Sequence, residues 1–322
     1  SHVSISPMRA LVLLLGAATF SYATQYRVHN HKPHGIPNLY KVNRHRFMDA
    51  KARGVSILYD RHKDLGVYFI SLSDREKHVI QFADNALGLK NLTVIGEGVS
   101  TSTLKSMAVL QNDGVIHKDV DLNNITSNEV AVSMSHTRAL NFFAKNSEVS
   151  YGIVFEDDAV LEKNLARSMM NGEFNSSSIL EVLQKLARTA KNHKWHGLNL
   201  GRCFDDCPSR VVESYVKAGM DVVKTCNSFC THAYIITKRG AEILKQYTLP
   251  IMGTADGIRC ALSQQNQFQY FSVTPRLFSQ DRKGQVGLHS SDEMSECVRH
   301  DEVQCMVRQP WINDMIKKYP KH

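Results

Sequence analysis

The sequence predicts an α/β protein, in which strands alternate with helices along the chain. An apolar segment at 67–72 is followed by a helical pattern to about Gly88 and by a second apolar segment at 92–95. A further apolar run, 152–155, is long enough for a buried strand and too short for a helix of its own. Strand, helix and strand in succession are the opening of a parallel α/β sheet.

Composition permits a sizeable globular enzyme. The chain has 322 residues, 43% of them hydrophobic and 22% charged, which leaves ample material for a core. A net charge of +8 favours anionic ligands such as nucleotide phosphates, acidic glycans or a membrane surface, without selecting one of them. The sequence contains no Cys/His zinc spacing, no P-loop and no GxGxxG dinucleotide motif.

The N-terminal region resembles a secretory signal. A basic residue precedes a compact apolar segment within 8–18, and small residues permit cleavage after Ala23. We expect residues 1–23 to be a signal peptide; a short type II anchor is the alternative, and any membrane association is confined to this segment. Glycosylation triplets agree with the secretory pathway lumen (endoplasmic reticulum or Golgi) or with secretion. They begin at Asn91, Asn124 and Asn175.

The seven cysteines fit the same compartment, where thiols are expected to pair. Two pairs are spaced too widely for a CxxC redox motif, and the odd total leaves at least one thiol free or intermolecular. The cysteines are Cys203 and Cys207, Cys226 and Cys230, then Cys260, Cys297 and Cys305.

Residues 24–65 are basic and poor in apolar pairs, which predicts a stem or loosely packed extension. We expect ordered structure to begin at Val67, with Asp74 capping the first helix. A second strand should span Leu92 to Ile95, with an exit turn at 96–98. The predicted apolar face of the helix is Val79, Ile80, Phe82, Ala83 and Leu87.

A second helix is predicted from about Ser127 to Ala144, because Thr126 and Glu129 have the spacing of a capping box. His136 shares one face of this helix with Leu140 and Phe143, which predicts a half-buried histidine. A packed, hydrogen-bonded histidine without a functional role is the alternative. Beyond the acidic strand we expect a helix at 179–191 and a core strand at 195–201.

Three successive carboxylates, Glu156, Asp157 and Asp158, end the apolar run 152–155. Three adjacent negative charges repel one another, and burying them is costly without compensating cations or donors. The simplest compensation is a divalent cation bound by oxygen ligands at the carboxyl end of the strand, the edge where ligands sit in open α/β sheets. The alternative is a solvated acidic turn.

These elements, in this order, resemble the glycosyltransferase family 25 domain of bacterial lipooligosaccharide galactosyltransferases and animal procollagen galactosyltransferases. The resemblance covers about residues 66–290, which we interpret as the catalytic domain, with 291–322 as a C-terminal extension. Ser71 and His196 stand where the family often has Asn and Asp. The matching segments are Ile70–Arg75, Glu129–His136, Val154–Asp158, Leu198–Gly201 and His232–Ala241, followed by Pro250, Asp256 and Gln280.

The resemblance implies a GT-A type, Rossmann-like domain with a mixed central sheet. It also implies a UDP-sugar donor, a divalent metal that is typically Mn²⁺, and inversion at the anomeric carbon. Asp158 is the expected metal ligand, with Glu156 as a further ligand and Asp157 bonded to the ribose or donor sugar. His289 is a candidate metal ligand, with a surface loop histidine as its alternative.

An inverting transferase needs one general base, for which Asp256 is the candidate. The alternative is a carboxylate that stabilises the dipole of the following helix. Arg75 is expected at the nucleotide phosphates, or else as a solvated turn arginine. The resemblance places Ser71 and His136 on the donor side, and His232 and Tyr234 on a strand edging the acceptor cleft.

Three functions are compatible with these residues. The first is an active transferase, most simply a β-galactosyltransferase that uses UDP-galactose and a glycan or protein acceptor, with no nucleic-acid partner. The second is a non-catalytic glycan-binding or adhesion protein of the same family. The third is an unrelated metal-dependent phosphohydrolase, for which the sequence offers no second cluster of metal ligands.

Overall fold

The computed structural model describes residues 54–162, 176–202, 210–215, 220–224, 228–281 and 309–321. All of them belong to one unit, residues 50–322. The predicted signal peptide, the stem before residue 54, Asn175, His289 and five of the cysteines lie outside the described residues, so the predictions for them, including disulfide pairing, stay predictions. Those cysteines are Cys203, Cys207, Cys226, Cys297 and Cys305.

The described chain alternates between strands and helices, as the following bounds show. The strands are β1 (Val55–His62), β2 (Leu65–Leu72), β3 (Thr93–Glu97), β4 (Tyr151–Glu156), β5 (Ala159–Leu161), β6 (Gly197–Asn199), β7 (Arg210–Tyr215), β8 (Met220–Lys224), β9 (Ala233–Thr237), β10 (Tyr270–Thr274) and β11 (Phe278–Gln280). The helices are α1 (Glu76–Leu87), α2 (Met107–Asn112), α3 (Ser127–Lys145), α4 (Ser176–Arg188), α5 (Ala190–His193), α6 (Lys238–Thr248), α7 (Ala255–Gln264) and α8 (309–318).

Among the described residues, nine strands form one mixed sheet in the order β3-β1-β2-β4-β9-β6-β10-β8-β7. The pairs β2–β4 and β6–β10 are parallel, and the other neighbours are antiparallel. The strands β5 and β11 pair separately, beside the acidic turn. The α/β class with a mixed central sheet is therefore confirmed.

Helices cover both faces of this sheet because apolar side chains alternate along the central strands. In β4, Ile153 and Phe155 pack in the same cluster as apolar residues of α1 and α4. Val154 lies on the opposite face, with residues of α3, α6 and α7. The acidic end of β4 thus emerges from the centre of a core with two sides.

The expectation that order begins at Val67 was wrong, because β1 lies inside the predicted stem. Val55, Ile57 and Leu58 are buried, and β1 pairs with β2 along its whole length. The basic composition of the surrounding segment concealed this strand, which is apolar only in its first half. β1 also separates β2 from β3, so the predicted strand–helix–strand unit has parallel directions without direct pairing.

Several local expectations differ from the structure. Helix α1 is preceded by Arg75 as its N-cap residue, with no side-chain capping bond, so the Asp74 cap was wrong. Ile80 is 47% exposed and does not join the apolar face. The helix expected at 179–191 is divided between α4 and α5, strand β3 includes part of the expected turn at 96–98, and the core strand expected at 195–201 is limited to β6.

The helix predicted from the capping box is confirmed as α3. The Thr126 hydroxyl accepts a hydrogen bond from the Glu129 N–H, and the Glu129 carboxylate accepts one from the Thr126 N–H. Leu140 and Phe143 are buried on the same face as His136. His136 is 2% exposed, so it is fully buried where half burial was expected.

The segment 309–321 belongs to the core, although 291–322 was expected to be an extension. Ile312 of α8 lies against the start of α7, where a Cβ added to Gly257 would come within 2.5 Å of its Cδ1. The Gln309 amide donates to the Gly257 carbonyl over 3.1 Å. Helix α8 therefore supports the N-terminus of α7, next to Asp256.

Among the described residues, no helix combines the length and the apolar character that a membrane span requires.

Candidate functional site

The site lies where the parallel strands β2 and β4 end side by side. Ile70 is paired with Glu156, so the residues that follow each strand meet above the same edge of the sheet. The Asp157 carboxylate accepts a hydrogen bond from the Leu72 N–H at 2.8 Å and one from Arg75 Nη1 at 3.2 Å. Asp157 thus joins the two strand ends through both of its oxygens.

Three of the expected donor-side residues have local partners here. Burial raises the pKa of Asp157, and the Leu72 amide and the Arg75 charge oppose that rise. Arg75 is paired with a carboxylate and 25% exposed, so it is not the solvated turn arginine of the alternative. The buried Ser71 hydroxyl donates to the Leu72 carbonyl over 2.9 Å.

Glu156 is held by two donors on one oxygen. Its Oε1 accepts hydrogen bonds from His136 Nε2 at 3.0 Å and from Thr231 Oγ1 at 2.5 Å. Burial acts to raise the pKa of Glu156, but the His136 and Thr231 contacts outweigh it and hold the pKa below its usual range. The side chain remains 20% exposed, so the carboxylate is both anchored and accessible.

Asp158 lacks such compensation. It is 7% exposed, and Gln280 donates to its Oδ2 over 3.3 Å, while its Oδ1 is buried and has no hydrogen-bond partner within the described ranges. Burial, followed by the charges of Glu156 and Asp157, raises the pKa of Asp158 far above its usual range. A buried carboxylate oxygen without a partner is costly. A bound cation would remove that cost, so the donor set fits a divalent metal ion.

The described residues contain no complete set of protein ligands for a metal ion. No three His, Cys, Asp or Glu side chains within them converge as a ligand set. Asp158 and Glu156 could contribute oxygen ligands, and further ligands would come from a bound diphosphate, from water or from residues beyond the described ranges, among which is His289.

A buried polar group underlies Glu156. His136 Nδ1 lies 3.1 Å from the Tyr234 hydroxyl, and Tyr234 is 1% exposed in the central strand β9. The Arg259 guanidinium carbon lies 4.0 Å from the centre of the Tyr234 ring and is also buried. Burial lowers the pKa of His136, and Glu156 acts in the opposite direction.

Asp256 stands in the first turn of α7, beside this buried group. Thr254 is the N-cap residue of the helix, and its hydroxyl accepts from the Gly257 N–H at 3.2 Å. Asp256 Oδ1 accepts from the same N–H at 2.8 Å. The Asp256 charge also acts on His136 and Arg259. Its surroundings are thus compatible with both a helix-terminal role and a catalytic one.

The two residues expected on the acceptor side lie in the interior. His232, like Tyr234, is 1% exposed, and His232 Nε2 lies 3.4 Å from the Phe278 carbonyl oxygen. A Cβ on Gly201 would come within 2.0 Å of this ring nitrogen, so the close approach requires glycine. Strand β9 is central in the sheet rather than at an edge, and contact with an acceptor stays a prediction.

The structure brings most of the predicted site residues into one region. Ser71, Arg75 and the three carboxylates share the strand ends, and His136, Tyr234 and Asp256 lie close to them. The contact of Thr231 with Glu156 was not predicted, and Arg259 was not identified as a residue of this region. The signal for Arg259 was a single charged residue in the apolar run Ile258–Leu262, where every residue is buried.

Comparison with known families agrees with this geometry. The sequence model of glycosyltransferase family 25 (LPS biosynthesis protein) matches residues 64–258, which is more than half of the chain. A comparison with curated proteins finds no match. The matched region contains β2, the acidic end of β4, His136, Tyr234 and Asp256, and it ends one residue before Arg259. The chain therefore belongs to glycosyltransferase family 25 and has the Rossmann-like α/β architecture of a glycosyltransferase.

Proposed function

We propose that this glycosyltransferase moves galactose from UDP-galactose to a hydroxyl group of a glycan or protein acceptor, with inversion at the anomeric carbon and with a divalent cation, Mn²⁺. The observation that supports it most directly is the buried Asp158 Oδ1, which no described residue bonds, at the end of β4 and within the matched region. A bound cation would compensate the desolvation of this oxygen. A secretory compartment is part of the proposal, on the basis of the N-terminal pattern and the glycosylation triplets.

Asp158 and Glu156 are the residues that would hold the cation, with His289 as a further ligand. When bound, the cation supplies positive charge that stabilises the departing diphosphate. Glu156 is suited to this position because His136 and Thr231 fix one oxygen while the side chain stays partly exposed. Asp157, Arg75 and Ser71 would shape the donor side, with Asp157 holding the Arg75 guanidinium at the strand ends.

The transfer step requires one general base to take up the acceptor proton. The bond between the anomeric carbon and the diphosphate oxygen breaks, and UDP leaves with that electron pair. The acceptor oxygen forms the new bond to the anomeric carbon, and its proton passes to a carboxylate. Asp256 is the proposed base, because it lies beside the buried polar group and Thr254 already caps the helix.

The test is UDP release by purified protein with and without Mn²⁺, across a panel of UDP-sugars and acceptors. We expect release that depends on both metal and acceptor, fastest with UDP-galactose, and product mass increased by one hexose. Asp158→Asn should abolish it, whereas the matched control Asp113→Asn, an exposed carboxylate paired with Lys105, should not. Glycan binding without UDP release from any donor would favour the non-catalytic alternative, and release of inorganic phosphate would favour a phosphohydrolase.

A further inference from the structure

A continuous line of buried side chains connects Arg259 to Glu156. Arg259 stacks on the Tyr234 ring at 4.0 Å, the Tyr234 hydroxyl lies 3.1 Å from His136 Nδ1, and His136 Nε2 lies 3.0 Å from Glu156 Oε1. The first three are 1–2% exposed. Only Glu156, at the cleft end, is partly accessible.

The two ends of this line determine where its hydrogens lie. An ionised carboxylate only accepts hydrogen bonds, so His136 Nε2 must carry hydrogen toward Glu156. A neutral imidazole then has an acceptor at Nδ1, and the Tyr234 hydroxyl must donate to it. At the other end, Arg259 is a permanent cation with no acceptor. Its charge favours the arrangement in which the phenol oxygen faces the guanidinium and the phenol hydrogen faces His136.

Electrostatics around the phenol support the same direction. Burial raises the pKa of Tyr234, and the charge of Arg259 opposes that rise. A phenol beside a cation is a stronger donor than one in an apolar site. The cation and the carboxylate at opposite ends therefore reinforce a single orientation of both hydrogen bonds.

We propose that Arg259 and Tyr234 are positioning residues that fix the Nε2–H tautomer of His136 and thereby hold the Glu156 carboxylate in place at the end of β4. Neither residue needs to touch the donor, the acceptor or a metal ion. The arrangement is a second layer of hydrogen bonds behind a ligand residue, and removing such partners typically costs about 10- to 100-fold in activity or metal affinity. The assignment of the His136 tautomer does not depend on the reaction, whereas the effect on transfer rests on the proposed function.

The chain offers a matched control. Tyr270 is 2% exposed and also lies near Arg259, but its hydroxyl has no hydrogen-bond partner among the described residues. Tyr234→Phe and Tyr270→Phe therefore remove the same atom at the same depth, and only the first interrupts the line to Glu156. Arg259→Met removes the charge at similar length, and Arg259→Lys retains it.

Two measurements test the proposal. The first is ¹⁵N NMR of the histidine side chains in metal-free protein, with His136 assigned by its loss in His136→Gln. We expect hydrogen on Nε2 and a hydrogen-bonded, unprotonated Nδ1. Tyr234→Phe should shift the Nδ1 resonance toward that of an imidazole nitrogen without a donor, and Tyr270→Phe should leave it unchanged.

The second measurement is steady-state transfer. We expect kcat to fall by about 10- to 100-fold in Tyr234→Phe and Arg259→Met, with Arg259→Lys closer to wild type and Tyr270→Phe unchanged. Hydrogen on Nδ1 of His136 in the wild-type protein would overturn the proposal, as would equal kcat values for the two Tyr→Phe variants. If the wild type lacks transferase activity, the proposed function fails, and the NMR result still decides the tautomer. If Arg259→Met does not fold, the wild-type and Tyr→Phe spectra remain decisive.

Discussion

Charged side chains at the two ends of strand β4 differ in how they are compensated. At the amino end, the half-buried Lys238 Nζ donates to the Phe143 carbonyl and, over 2.5 Å, to the Asn146 carbonyl, both at the C-terminus of α3. The same ammonium lies 4.1 Å from the centre of the Phe143 ring. At the carboxyl end, Asp158 is buried beside two other carboxylates, and one of its oxygens has no hydrogen-bond partner among the described residues.

This difference separates a structural charge from a charge that requires a ligand. The Lys238 cation donates to two carbonyls in the last turn of the helix and matches the negative end of the helix dipole. Asp158 has no comparable compensation among the described residues, so its burial is a cost that the fold alone does not offset. Removing the charge should therefore stabilise the protein at Asp158 and destabilise it at Lys238.

The largest effect is expected at Asp158. Asp158→Asn should abolish UDP-sugar transfer while the protein melts at an equal or higher temperature, because the amide removes a repelled buried charge. Transfer assays and thermal unfolding of metal-free protein measure both effects. If the variant transferred sugar at the wild-type rate at limiting Mn²⁺, or if its melting temperature fell markedly, the proposed contrast between the two strand ends would be wrong.

The same variant should show a defined pH dependence. The pKa of Asp158 is raised above its usual 3.8, so the folded protein retains a proton that the unfolded chain has lost. The contribution of this group to stability is therefore fully present below pH 3.8 and is lost as the pH rises toward the raised pKa of the folded protein. Because Asn does not titrate, the melting-temperature advantage of Asp158→Asn should grow with pH across that window.

Asp256→Asn should have the next largest effect. Loss of a general base typically costs about 10²- to 10⁴-fold in rate, whereas loss of a helix-terminal charge costs roughly 0.3–1 kcal/mol of stability. We expect transfer to fall at least about a hundredfold, with UDP affinity and melting temperature retained. A variant that melts at a lower temperature yet has the normal rate per folded molecule would show that Asp256 stabilises the helix dipole and is not the base. The next candidate for the base would then be His232.

The contrast between the strand ends also shows what the sequence could predict. Strand β4, helix α3 with its capping box and the clustering of carboxylates follow from local patterns, since each depends on residues within a few positions of one another. The different environments of Glu156 and Asp158 do not. They depend on Thr231 and Gln280, more than 70 residues away along the chain.

Two further features escaped local reasoning for related physical reasons. Strand β1 lies in a basic segment, so composition outweighed the apolar positions Val55, Ile57 and Leu58. Arg259 lies on a helix face whose apolar neighbours predict a core position. Only the fold shows that its guanidinium packs against the Tyr234 ring. Buried charges are the residues for which sequence periodicity gives the wrong neighbours.

At the amino end, Lys238→Met should reduce stability without affecting the chemistry. Methionine keeps much of the apolar length and loses the donors to the two helix-terminal carbonyls, which should cost about 1–2 kcal/mol. Urea unfolding measures the loss, and transfer per folded molecule should match the wild type. A neutral effect on stability would mean that water replaces the ammonium at these carbonyls.

The smallest effect is expected from an exposed ion pair near the same end of β4. Arg61 Nη1 lies 2.5 Å from Glu148 Oε2, but the two side chains are 47% and 69% exposed. Solvent and salt screen such pairs, and ordering two mobile side chains offsets much of the attraction, so they contribute about 0–1 kcal/mol. Glu148→Gln should therefore change the free energy of unfolding by less than Lys238→Met, and the change should shrink further in high salt. Urea titrations of both variants at low and high ionic strength make the comparison. A loss at Glu148 that equals the loss at Lys238 and persists in salt would show that proximity, and not burial against helix-terminal carbonyls, makes this end of the strand stable.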